Sequence, residues 1–292
     1  MEWSQHSPNT GQCRIRTMNR PQLTQASRPL TYEIDAINEC GEVVPTAIAG
    51  EHPLTLYVDK RELVTLMTLG GAPEALALGY LRNQRLVSSL DEIAAVQVDW
   101  EVDAVAVTTR HGRGIAESRI ERRTVTTGCG QGTVFGDLMT EIDDIKLPAG
   151  EKLSEATLYG LLETVRHHES IYKQAGAVHG CALAQGAQIL MFVEDVGRHN
   201  AVDAIAGQMW LDGLAGDDKI FYTTGRLTSE MVIKAAQMGI PFLVSLRPDA
   251  HGLGNRAETR HDDDRPRPGQ ALPFIHRRRA VCAMSARITG VI

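Results

Sequence analysis

Glu194-Asp195-Val196-Gly197-Arg198-His199-Asn200 follows an apolar run, Ile189 to Val193, and precedes Ala201, Val202, Ile205, Ala206, Met209 and Trp210. The run reads as a buried strand and the later residues recur at helical spacing, so the seven residues form a strand-to-helix junction. Four of the seven can carry charge. Open α/β sheets place their ligands at junctions of this kind. A solvated turn capped by Asn200 is the plainer alternative.

Outward from the junction the pattern alternates. Strand (Ala187 to Val193), helix (Asn200 to Leu211), strand (Lys219 to Thr223), helix (Thr228 to Met238) and strand (Pro241 to Val244) follow one another. That alternation predicts an α/β layered core over residues 148–245. Ser154 is a good helix cap, and Leu158, Leu161, Leu162 and Val165 mark one buried helix face behind it. Residues 31–147 read as a smaller α+β part. Leu54 to Val58 predicts a strand, and Asp59 with Glu62 makes a capping-box signal for a helix after it. Ala72 to Leu81 reads as a helix with Pro73 in its first turn, and Ala94 to Trp100 and Ala104 to Thr109 as two strands around a turn. Residues 1–30 are polar and read as a disordered leader.

The bulk properties exclude several function classes. The 292 residues carry a formal net charge of -6, which gives no reason to expect nucleic acid as a partner. No apolar run is long enough to span a membrane, and the first 28 residues hold no signal-peptide core, so the expected location is the cytoplasm. Cys13, Cys40, Cys129, Cys181 and Cys282 are odd in number and widely spaced. With no CxxC pair, neither a disulfide framework nor a structural metal site is expected, and free thiols are the default.

Thr126-Thr127-Gly128-Cys129-Gly130-Gln131-Gly132 sets one thiol among three glycines. Glycines let the backbone turn sharply and surround a sulfur with N–H dipoles, and Arg122 and Arg123 lie just upstream, so Cys129 is the candidate nucleophile. On residue type alone, a small buried cysteine in a tight turn is the simpler reading. Cys181 precedes Ala182 to Ala184 and reads as a core residue. In the junction, Arg198 offers a fork of donors for phosphate, and His199 can move protons or favour a thiolate. Asp195 and Glu194 could hold a guanine edge or orient Arg198; a structural ion-pair network is the other reading. Thr223 to Ser229 reads as a loop in which Gly225 and Arg226 feed a helix whose first turn holds Thr228 and Ser229. Free N–H groups there suit an anion, although capping by Thr228 needs no ligand.

Taken together, these two segments, Thr223 to Met231, and Glu42-Val43-Val44-Pro45 resemble the FdhD family over roughly residues 30–245. The resemblance implies a core like the cytidine-deaminase fold. It implies a sulfur carrier, or sulfurtransferase, needed for formate dehydrogenase activity. Sulfur would pass from a cysteine desulfurase to Cys129 as a persulfide, then to a molybdenum (or tungsten) bis-guanylyl-pterin cofactor. Glu194, Asp195, Arg198, His199, Asn200, Gly225, Arg226, Thr228 and Ser229 become candidates for binding that cofactor, with no bound metal of the protein's own. The family's Thr-Gly-Cys-Gly motif matches Thr127 to Gly130. Many members carry a second cysteine where this chain has Gly132, so a step resolved by a neighbouring cysteine cannot run here. The deaminase H-x-E and P-C-x-x-C signature is missing, so zinc hydrolysis is not expected. Two rivals are a cofactor-binding chaperone without covalent chemistry and a product inactivated by loss of its native C-terminus. Oligomeric state is left open, a homodimer included.

Residues 246–292 read as an irregular tail rich in Pro, Gly, Asp and Arg. Back-translated and read one base later, with free synonymous choice, Ser245-Leu246-Arg247 gives Arg-Ser-Gly. Residues 261–272 then give Met-Thr-Met-Ile-Gly-Arg-Ala-Arg-Gly-Lys-Arg-Phe, similar to the family's C-terminal segment. The expectation is a frameshift near Ser245, which resequencing the gene tests.

Overall fold

The computed structural model describes residues 20–112, 145, 147–148, 153–248 and 274–275. The elements in chain order are β1 (Gln22–Leu23), β2 (Thr31–Ile37), β3 (Val43–Ala49), β4 (His52–Val58), β5 (Arg61–Thr68), α1 (Pro73–Asn83), β6 (Ile93–Asp99) and β7 (Ala104–Thr109). There follow α2 (Glu155–His167), α3 (Ile171–Ala175), β8 (His179–Gln185), β9 (Gln188–Asp195), α4 (Arg198–Asp212), β10 (Ile220–Leu227), α5 (Ser229–Gln237), β11 (Phe242–Pro248) and β12 (Phe274–Ile275).

Two five-stranded sheets carry the fold, in orders β1-β6-β7-β4-β5 and β12-β11-β10-β8-β9, and β2 with β3 makes a separate ribbon. Both sheets are mixed: β10 runs parallel to β11 and antiparallel to β8, while β4 runs parallel to β7 and antiparallel to β5. The second sheet is covered on both faces. Leu158 and Leu161 of α2 pack with Ala182, Tyr222 and Val244 on one side, and Ile205 of α4 and Met231 of α5 pack with Cys181 and Phe221 on the other. A strand buried on both faces has no polar side to show, which is why Ile220-Phe221-Tyr222 and Phe242-Leu243-Val244 are unbroken apolar runs.

The mixed α/β class agrees with the expectation from sequence, but several details are corrected. Arg61 to Thr68 is a strand, not a helix. Asp59 and Lys60 both take positive φ (45° and 72°) and close a two-residue hairpin. The Asp59 carboxylate accepts from the Thr109 N–H and hydroxyl, tying that hairpin to β7. The end of the supposed leader is folded: Gln22 and Leu23 pair with β6, and the Arg28 guanidinium donates to the Trp100 carbonyl. Residues 1–19 lie outside the described residues. β10 continues through Gly225 and Arg226 to Leu227, with an irregular register between Thr223 and Arg226, where a loop was expected. β11 runs past residue 245 to Pro248, and β12 pairs with it from within the stretch read as an irregular tail. The frameshift reading concerns residues otherwise outside the described ones.

The two parts read from sequence meet where α1 packs on α4. α1 and α4 lie against each other between the sheets, and Ala204 and Leu211 of α4 join the core of the first sheet. Their contact is backbone on backbone. A Cβ on Gly79 would stand 1.6 Å from the Asp203 carbonyl oxygen, and one on Gly207 would stand 1.9 Å from that of Ala75. Main-chain atoms cannot swing aside as a side chain would. Gly79→Ala and Gly207→Ala are each expected to cost about 3 kcal/mol or more, since the helices must separate. Urea unfolding measures this; a variant within about 0.5 kcal/mol of the parent would refute the contact.

Candidate functional site

Asp195 ends β9 with its side chain buried. Its Oδ2 accepts from the Thr68 hydroxyl (2.5 Å) and the Leu69 N–H (3.1 Å), and its Oδ1 accepts from the Asn200 amide (2.7 Å) and the Gly197 N–H (3.2 Å). Burial pushes this carboxyl above its ordinary value, and the four donors pull against that rise. Asn200 also donates to the Met67 carbonyl at 2.6 Å. The junction is thereby fastened to the end of β5, a strand more than a hundred residues earlier. Glu194 faces elsewhere: it accepts from the Ile171 and Tyr172 N–H groups and caps α3.

A second polar chain runs inward from His199. Its Nε2 stands 3.0 Å from Glu230 Oε2, Glu230 Oε1 lies 3.7 Å from Lys234 Nζ, and Lys234 Nζ lies 2.9 Å from Asp203 Oδ2. Asp203 Oδ1 accepts from the Asn83 amide at 2.6 Å, which closes the chain on α1. Burial acts to neutralise Lys234, but Asp203 and Glu230 outweigh it and hold the ammonium above the usual lysine range. Asp195 is thus held by neutral hydrogen-bond donors, and His199 lies against the Glu230 carboxylate.

The starts of α4 and α5 meet at this place, joined by the His199–Glu230 contact. Neither helix has a side-chain cap hydrogen bond at its first residues, Gly197 and Thr228. Thr228 is the N-cap of α5, one position ahead of the first turn to which it was assigned, and its hydroxyl is buried without a hydrogen-bond partner. Gly225 lies against Arg198: an added Cβ would fall 2.8 Å from the Arg198 Cδ. The Gly225 N–H donates to Thr223 Oγ1 and its carbonyl accepts from Ser245 Oγ, so the strand's irregular segment is pinned from both sides. Arg226 is exposed, and Thr228 and Ser229 are half-buried.

The structure therefore brings Arg198, His199, Gly225, Thr228 and Ser229 together and leaves Arg226 on the adjoining surface. Cys129 and the glycines around it lie outside the described residues. Thr68, Asn83, Asp203, Glu230 and Lys234 were missed in the sequence reading. Asp203 and Lys234 did leave a signal, as single charges inside otherwise apolar helical stretches, and Glu230 precedes Lys234 by one turn. Cys181, read as core, is fully buried beside the Thr223 hydroxyl, and burial pushes its thiol up to about 12.

Two outcomes follow from this geometry. Removing the carboxylate in Asp195→Ala leaves buried donors unpaired and is expected to cost about 2 kcal/mol or more in unfolding free energy. Burial disfavours the Cys181 thiolate, the form that alkylates. Iodoacetamide on the folded protein should label the exposed Cys40 and reach Cys181 only after denaturant is added, as read by peptide mapping.

Comparison with known proteins bears on this arrangement. A sequence profile of the FdhD/NarQ family matches residues 49–249. The sulfur carrier protein FdhD of Listeria innocua is 29% identical over 204 residues, covering 69% of this chain and 78% of its own. That of Bacillus subtilis is 28% identical over 210 residues, covering 71% and 80%. A crystal structure described as a formate dehydrogenase accessory protein from Desulfotalea psychrophila superposes with a TM-score of 0.61 at 27% identity, over 77% of this chain and 88% of that one. With the match extending across most of both sheets and the whole 194–200 junction, this chain belongs to the FdhD/NarQ family.

Proposed function

We propose that this protein carries sulfur for formate dehydrogenase, holding it as a persulfide on Cys129. The observation that supports this is family membership across a segment that includes Thr127-Gly128-Cys129-Gly130. In the loading step the Cys129 thiolate attacks the terminal sulfur of a cysteine desulfurase persulfide. The donor's S–S bond breaks, its thiolate leaves, and a new S–S bond forms on Cys129. Release of the carried sulfur as sulfide takes up two electrons, which a thiol reductant supplies. One thiol is enough for this cycle, and Gly132 in place of a second cysteine does not prevent it. The acceptor in this reading is the molybdenum bis-guanylyl-pterin cofactor, and the work takes place in the cytoplasm.

The paired helix starts support a phosphate-binding role toward that acceptor. Each helix start carries partial positive charge, and here two of them lie side by side. Thr228 Oγ1 sits at one of them with its hydrogen-bonding capacity unused, and Arg226 adds a cation at the rim. Asp195, Asn200 and His199 act here as positioning residues that hold the junction in place.

The test is intact mass and peptide mapping after incubation with an active cysteine desulfurase and cysteine. A reducible gain of one sulfur on Cys129, absent from Cys129→Ala, is expected. Full restoration of formate dehydrogenase by Cys129→Ala would instead favour a non-covalent chaperone. For the acceptor end, Arg226→Ala is expected to weaken GDP binding about tenfold by calorimetry, the value of a charge-assisted hydrogen bond.

A further inference from the structure

The ribbon of β2 and β3 stands outside both sheets. Its register puts Tyr32, Ile34 and Ala36 opposite Ile48, Thr46 and Val44 on one face, and Glu33, Asp35 and Ile37 opposite Ala47, Pro45 and Val43 on the other. Ile37 and Val43 are 75% and 66% exposed, and Tyr32, Ile34 and Ile48 are exposed as well. So many apolar side chains on a two-stranded element are unusual, because a ribbon of two strands is marginal without cover. α3 packs against β3. Among the described residues no further strand pairs with the outer edge of β2.

The charge on this element has one sign. Residues 31–51 contain Glu33, Asp35, Glu39, Glu42 and Glu51 and no lysine, arginine or histidine. Asn38 holds the tip, accepting from the Cys40 and Glu42 N–H groups and donating to the Glu42 carboxylate. An apolar surface set among carboxylates is poorly matched to nucleic acid and to anionic lipid, both of which it repels. It is poorly matched to its own copy too, since ribbon against ribbon would bring the Glu33 and Asp35 carboxylates together.

We propose that the β2–β3 ribbon is a docking surface for a partner protein that presents an extended apolar segment flanked by lysine or arginine. The open edge of β2 supplies main-chain hydrogen bonds to such a segment, Ile34, Ile37 and Val43 supply apolar contact, and the acids select its charge. The inference stands apart from the fate of Cys129.

The probe is a synthetic peptide alternating lysine and valine, with a glutamate–valine peptide as its control, added to the full-length protein. Fluorescence anisotropy should show binding of the first peptide only, weakening as salt rises, and hydrogen exchange should show new protection confined to residues 31–49. The exposed double variant Glu33→Gln/Asp35→Asn should keep its fold by circular dichroism and lose about tenfold in affinity. Unchanged affinity in that variant, or protection centred elsewhere, would mean a general attraction to a negatively charged protein and would overturn the proposal. Protection of residues 31–49 that grows with protein concentration in the absence of peptide would assign the ribbon to a second copy and overturn it equally.

Discussion

Everything else in this structure depends on how closely α1 and α4 approach. With Gly79 facing the Asp203 carbonyl and Gly207 facing that of Ala75, the helices touch along their main chains. That spacing allows Asn83 to reach Asp203, and it sets the first sheet's core against Ala204 and Leu211. A single methyl at either glycine would clash with the main chain of the facing helix.

The polar junction exploits this fixed spacing. Asp195 and Asn200 grip the end of β5, while His199, Glu230, Lys234 and Asp203 form a line of polar contacts through the same interior. Buried charges on this scale are costly unless each meets a partner. Here the partners come from both sheets' helices, so the arrangement holds only when the whole molecule is assembled. Arg226, Thr228 and Ser229 lie at the rim of that interior, beside the paired helix starts.

Much of this was legible in the chain. The junction between β9 and α4, the Pro73 start of α1 and the Ser154 cap of α2 all carry strong local signals, and each is where it was expected. The elements that were missed lack such signals. β8 has Gly180, Ala182 and Ala184 among its seven residues, types that are depleted in strands, and the hairpin at Asp59-Lys60 has neither the Asn nor the Gly that announces such a turn. The polar cluster could be seen but not its meaning. Whether Asp195 meets a ligand or the Thr68 hydroxyl depends on a residue 127 positions away, and one sequence carries no record of that pairing.

The distance between α1 and α4 along the chain has a consequence during synthesis. Asn83 must wait for Asp203, 120 residues later, before its partner exists. At ribosomal speed that is on the order of ten seconds. Throughout that interval α1, apolar on nearly every side, can cover only one flank against the first sheet. The nascent chain thus carries a sticky helix whose shield is still being translated.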